Sequence, residues 1–148
     1  MHKLLSATVA VLALVGQATA KISWGFCPTP ALQSNFDVNQ YLGTWFEQAR
    51  DKSILFQYGD CSQAKYSLRP DNQINVVNSQ MNPWTMRSES ITGSASCNGA
   101  QCKVGFFLFQ TGDYRVLQTD YNTYAVVYSC SPYFFFWKTE YIWVLTRS

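Results

Sequence analysis

The sequence predicts an all-β protein, an eight-stranded antiparallel up-and-down β-barrel, on three observations. Eight short segments rich in β-branched and aromatic residues recur at even spacing, helical periodicity is weak throughout, and the links between segments alternate in character. The links "RPDNQ", "CNGAQC" and "DYNT" are tight and polar, whereas "DKSILFQYGD", "MNPWTM" and "SPYFFFW" are longer and apolar. Successive links of an up-and-down barrel lie at opposite ends, so this alternation describes one stitched end and one greasy mouth. "QTGD" is the exception, short and polar where a longer link is expected. A sandwich, the other arrangement of such strands, does not require the alternation.

Residues 1–20 combine a short charged start, an apolar run and the cleavage signature Ala18-Thr19-Ala20, and read as a secretory signal peptide. An ordinary buried helix is the alternative. No later stretch is apolar enough to span a bilayer. Residues 21–148 are then a single exported, extracellular domain, large enough for one core. A single helical turn is expected in "SNFDVNQ", 34–40. Strands are expected at 43–51, 61–69, 73–80, 86–96, 102–110, 114–120, 123–130 and 138–147.

Closure of such a barrel sets its first strand beside its last. The first strand rises from the stitched end and the eighth returns there, so Trp45 and Arg147 become neighbours at the floor. A guanidinium over an indole contributes roughly 0.5–2 kcal/mol. Gly43 lets the chain turn tightly beneath the pair. The same parity brings Thr119, Asp120 and Tyr121 to that end.

Composition excludes much chemistry. A net charge of +2 offers no electrostatic case for nucleic acid. The single histidine is His2, within the leader, so the exported chain has no catalytic imidazole and no imidazole metal ligand. No metal or cofactor is expected. All five cysteines, at 27, 61, 97, 102 and 130, belong to the exported part, where disulfides form; five is odd, leaving one thiol free or joined to another molecule. Cys97 and Cys102 flank "NGAQ" and are placed to bridge a hairpin, the alternative being two reduced thiols on a turn. The carboxylates Glu47, Glu89 and Glu140 read as solvated, and Asp120 as a turn cap.

Three motifs in order, Gly43-Thr44-Trp45, Thr119-Asp120-Tyr121 and the closing Arg147, resemble the signatures of the lipocalins. The similarity extends through "CPTPALQSNFDVNQYLGTWFEQAR", "CSQAKYSL", "LQTDYNTYAVVYSC" and "IWVLTR", and is weakest over 79–113. It implies a lipocalin-like barrel with a disulfide between Cys27 and Cys130, tying the N-terminal arm to the seventh strand. It implies that Cys61 is the unpaired cysteine, since the family segment holding its partner has no counterpart after Arg147. A helix that lipocalins pack on the barrel wall is likewise expected to be absent.

Alternation groups Ala64, Tyr66 and Leu68; Val104, Phe106 and Leu108; and Tyr141, Trp143 and Leu145, without saying which faces are interior. The resemblance implies that Tyr41, Tyr66, Phe106 and Trp143 line a pocket, with Leu108 and Leu145 on the same faces and Asn78 as a polar position for a ligand head group. The alternative is that these aromatics simply fill a core. A pocket so lined suits a fatty acid, sterol, retinoid or similar hydrophobic molecule, and the expected function is a secreted, non-catalytic lipid carrier.

Two other readings stand beside it. A thiol-dependent isomerase or synthase would use Cys61 near Lys65 or Arg69. An interaction module would dock on a lipid surface or lipoprotein particle through a rim of Ile54, Leu55, Phe56, Met81, Trp84, Met86 and Phe134–Phe136, loops that alternatively fold inward over the pocket. The same module could scavenge oxidants through Met81 and Met86.

Overall fold

The computed structural model describes residues 21–50, 57–107 and 110–148. The expected leader over 1–20, the rim residues Ile54, Leu55 and Phe56, and the pocket candidate Leu108 lie outside the described residues. Within them the chain forms β1 (Lys21–Trp24), α1 (Val38–Tyr41), β2 (Gly43–Arg50), β3 (Asp60–Leu68), β4 (Ile74–Met81), β5 (Ser88–Asn98), β6 (Gln101–Phe107), β7 (Gln110–Thr119), β8 (Tyr124–Tyr133) and β9 (Trp137–Thr146).

Strands β2 to β9 pair in sequence order and antiparallel, and β9 returns to pair with β2, which closes an eight-stranded barrel. Bulges at Glu47/Ala49, Asp60/Gln63, Gly105/Phe107 and Val116/Gln118 supply the bends that closure needs. Trp45, Tyr66, Val76, Ala95, Val127 and Leu145 are buried together, which identifies their rows as the interior face.

Three expectations about the elements are corrected. A ninth strand, β1, pairs with the Trp137–Glu140 half of β9, on the same edge that β2 uses lower down over Trp143–Thr146. It extends the wall at the mouth. The apolar stretch "SPYFFFW", expected as a long loop, is mostly strand: β8 runs to Tyr133 and β9 starts at Trp137, so only Phe134–Phe136 turn. Pro132 is tolerated inside β8 because the β7 ladder on its other side stops at Tyr128, so a missing N–H costs no pairing there. "QTGD" is not a link at all but the start of β7.

From the β8–β9 hairpin the N-terminal arm descends along the outer wall. Cys27 is bonded to Cys130 of β8, Arg115 Nη1 donates to the Pro28 carbonyl at 2.9 Å, and the Gln33 amide donates to the Val116 carbonyl at 3.0 Å. The cysteines are 103 residues apart, and a cross-link closing so long a loop stabilises by about 2–5 kcal/mol. The arm ends in α1 beneath the barrel. Asp37 caps that turn, accepting from the Asn39 amide at 2.9 Å and from Gln40 Nε2 at 3.0 Å. A second disulfide joins Cys97 and Cys102, directly opposed across the β5–β6 hairpin with Cα atoms 4.0 Å apart.

Candidate functional site: a sealed floor under an open barrel

The floor is built around Trp45, which is wholly buried. Its indole Nε1 donates to the Tyr41 carbonyl at 2.8 Å, and the Arg147 guanidinium lies over its ring at 3.7 Å from the centroid. Arg147 also donates to the carbonyls of Tyr121 (2.9 Å), Thr44 (2.9 Å) and Gln40 (3.1 Å), so one side chain joins the last strand to β2, α1 and the β7–β8 turn. Gly43 has φ +99°, and a Cβ there would sit 3.1 Å from Arg147 Nη1, so glycine serves both the turn and the approach.

The turn Asp120–Thr123 is held by the Asp120 carboxylate, which accepts from the Asn122, Thr123 and Tyr124 amides and from the Thr123 hydroxyl. Hydrogen bonds from Thr123 and then from those amides hold its pKa down to about 2. Thr119 Oγ1 donates to the Tyr124 carbonyl and accepts from the Tyr121 amide, and Tyr121 Oη accepts from the Asp37 amide at 3.0 Å. These bonds fasten the arm to the floor.

Beside Trp45, with Tyr66 opposite Gly43, sit three packed phenols. Tyr114 Oη bonds Tyr41 Oη at 2.9 Å and Tyr66 Oη at 3.1 Å. Burial raises the Tyr66 pKa to about 12 and pushes Tyr41 and Tyr114 well above the ordinary phenol range. Around the rings, Phe36, Val38, Leu42, Ile74, Val104 and the Cys97–Cys102 bridge leave a cavity of about 20 Å³, room for roughly one water. The floor is therefore a packed core, and Tyr41, Tyr66 and Leu145 belong to it.

Higher up the packing loosens. Phe106, Trp143 and Asn78 face inward yet are only half-buried, and Ile91, opposite Asn78 on the interior face, is 39% exposed. Interior side chains of a filled barrel would be wholly buried, so the upper barrel is not packed shut and opens towards the mouth. The Phe106 ring also lies where a Gly93 Cβ would be, 2.7 Å away, so the missing side chain lets it lean across the wall.

The hollow is not uniformly apolar. Glu47 was expected to be solvated; its side chain is 7% exposed because it shares the inward row of Trp45. The bulge that follows turns Arg50 to the same face, and its Nη1 bonds Glu47 Oε1 at 2.5 Å. Arg50 also donates to Ser62 Oγ at 3.2 Å and the Gly59 carbonyl at 2.7 Å, while Trp143 Nε1 donates to Gln57 Oε1 at 2.9 Å. Asn78 Oδ1 is buried without a hydrogen-bond partner among the described residues. Glu140 is likewise not a free carboxylate: on the outer wall it takes Tyr128 Oη at 2.6 Å and pairs with Lys138 at 2.9 Å. At the rim Glu89 accepts from Tyr58 Oη and Asn82 Nδ2.

The mouth is aromatic. Trp24 packs on Trp137 and Phe136 with centroids 5.3 and 5.7 Å apart, and Phe26 lies 5.9 Å from Phe136. Phe134 and Phe135 are more than 70% exposed, as are Trp84 and Met86 on the β4–β5 turn. An open cleft of about 510 Å³ lies against Ile22, Tyr133, Phe134 and Trp137. Cys61, the one unbridged cysteine, is exposed at the β3 bulge, not inside the barrel.

A closed eight-stranded up-and-down barrel, floored by an Arg-capped Trp and open at the other end, defines the structural class. The chain belongs to the lipocalin family: a lipocalin-like domain matches residues 36–148. Apolipoprotein D of Rattus norvegicus is 39% identical over 129 residues, covering 84% of this chain and 67% of that protein. The outer membrane lipoprotein Blc of Escherichia coli (strain K12) is 34% identical, covering 93% and 80%. Insecticyanin from the tobacco hornworm Manduca sexta shares the fold, with a TM-score of 0.74 at 22% identity over 87% of this chain and 72% of its own.

Proposed function

We propose that this lipocalin is a secreted carrier of a small hydrophobic molecule, held in the upper barrel above the tyrosine layer, and that it performs no catalysis. The observation that carries the reading is the contrast between a floor packed to about 20 Å³ and inward aromatics above it that keep accessible surface. Such a cup takes an elongated apolar ligand, a fatty acid, sterol, retinoid or similar lipid, entering from the aromatic mouth. Burying ~300–400 Å² of ligand at ~25 cal/mol/Å² gives roughly 7–10 kcal/mol before ordering costs, in keeping with micromolar or tighter binding. Two disulfides suit an oxidising, extracellular setting. A non-catalytic role is supported by the lack of any histidine after His2 and by the exposed position of Cys61. Native mass spectrometry of protein purified from its own source is expected to show one bound lipid; turnover of a substrate that stops when Cys61 is blocked would establish the isomerase or synthase alternative instead.

A second reading is favoured by the exposed Phe134, Phe135 and Trp24: the mouth docks on a lipid surface while ligand is exchanged. Replacing Phe134, Phe135 and Phe136 by Ser is expected to abolish liposome binding, and unchanged binding would refute this reading.

A further inference from the structure

The wall of the cup is extended on one side by β1, whose four residues lie outside the stretch 36–148 that matches the family. Ile22 stands opposite Thr139 and Trp24 opposite Trp137, and residues paired across antiparallel strands share a face. Trp137, Thr139, Tyr141, Trp143 and Leu145 alternate down β9 from the rim to the buried floor, so Ile22 and Trp24 face the cup's side. The other face of this wall is polar: Ser23 Oγ donates to Glu140 Oε2 at 3.2 Å, and Lys138 pairs with the same carboxylate. Tyr133, also opposite Trp137, completes the inner surface. That surface is apolar and uncovered, with Ile22 58% and Trp24 68% exposed beside the open cleft of about 510 Å³. It is also held in place, by the Gly25 amide donating to the Phe136 carbonyl at 2.7 Å, by the edge-on packing of Trp24 on Trp137, and by the Cys27–Cys130 bridge.

Continuity with the cup says what covers it. Trp137 stands about 20 Å of strand above Trp143, on one unbroken inward row. On the opposite side of the barrel the inward row of β4 and β5 ends instead in Gln80 and Glu89, so an apolar chain leaving the cup finds its apolar wall on the β1–β9 side. A chain seated near the floor reaches the cleft only when it is long. Resting on the carrier reading, we infer that the inner face of β1, with Tyr133 and Trp137, is a second subsite at the rim that holds the outer part of a long apolar chain, so that the protein selects long-chain lipids over short ones.

The test is isothermal titration of the purified protein with decanoate and with oleate, each below its micelle concentration and with no lipid surface present. The double variant Ile22→Ser/Trp24→Ser is expected to bind oleate about tenfold more weakly, the scale of losing two apolar side chains from the contact, and to hold decanoate within about twofold of the unsubstituted protein. Ile22→Asp, which leaves Trp24 on Trp137, is expected to weaken oleate alone as well, because an acyl chain would then desolvate a carboxylate. Circular dichroism confirms the fold of each variant. Oleate binding unchanged in both variants would overturn the inference and leave the carrier reading intact, as would an equal loss for the two acids. Binding of neither acid by the unsubstituted protein would overturn both.

Discussion

Arg147 holds its guanidinium carbon 3.7 Å from the centre of the Trp45 ring while its nitrogens bond carbonyls of Tyr121, Thr44 and Gln40. Lysine can supply the charge but not a planar fork that reaches three separate segments. Arg147→Lys is expected to cost about 2 kcal/mol and Arg147→Ala about 3–4 kcal/mol in urea unfolding. A double-mutant cycle with Trp45→Phe is expected to give a coupling of about 1 kcal/mol, and additivity would show that the stacking itself contributes nothing.

Gly93 and Gly112 both interrupt strands, and propensity alone favours alanine at each by roughly 0.5–1 kcal/mol. Their surroundings reverse that at one of them. A Cβ at Gly93 would meet the Gly105 carbonyl oxygen at 2.3 Å and Phe106 Cδ1 at 2.7 Å, whereas at Gly112 the nearest atom is 3.7 Å away. Gly93→Ala is expected to destabilise by about 2 kcal/mol and Gly112→Ala to be neutral or slightly stabilising, by thermal unfolding. Equal effects would mean that the Phe106 contact is not tight.

Asp120 ties the floor to acid stability. Its folded-state pKa, about 2, lies below the ordinary carboxylate value because Thr123 and three amides bond the ionised form. A depressed acid contributes stability that is complete above the unfolded pKa, about 4, and is lost as pH falls from there towards 2. Urea midpoints of the unsubstituted protein are expected to drop across that window more steeply than those of Asp120→Ala. Parallel curves would show that the turn does not sense protonation.

The barrel and its floor were legible in the sequence because their determinants are local and periodic: eight alternating segments, turn residues at one end, and chain parity that forces residue 45 towards residue 147. The Glu47–Arg50 pair was only half legible. The two-residue period from Trp45 places Glu47 inside, but Arg50 joins it through a bulge, and no residue between them announces one. The β8–β9 hairpin was misjudged for a different reason. Consecutive aromatics with a proline look like an exposed loop, and what makes them strand is that β1, from the far end of the sequence, pairs with Trp137–Glu140. The hollow above Tyr66 depends on volumes that no pattern of residue types encodes.

The layer of Tyr41, Tyr66 and Tyr114 predicts how the protein fails in alkali. Burial raises the Tyr66 pKa to about 12 and holds those of Tyr41 and Tyr114 well above the ordinary phenol range, against about 10 for phenols of the unfolded chain. Above pH 10 the folded state therefore holds about three protons that the unfolded state has released. A raised acid favours folding fully below the unfolded pKa and loses that advantage as pH climbs, here at about 4 kcal/mol per pH unit for three groups. Unfolding is thus expected to be steep between about pH 10 and 12, with these three phenols ionising only as the fold is lost, as followed by phenolate absorbance and circular dichroism. Tyr114→Phe removes one of the protons and leaves the other two hydroxyls without their shared partner. It is expected to lower stability at neutral pH by about 1–2 kcal/mol yet reduce the alkaline slope by about a third. Ionisation of every tyrosine near pH 10 with the fold intact would show that the layer is open to water.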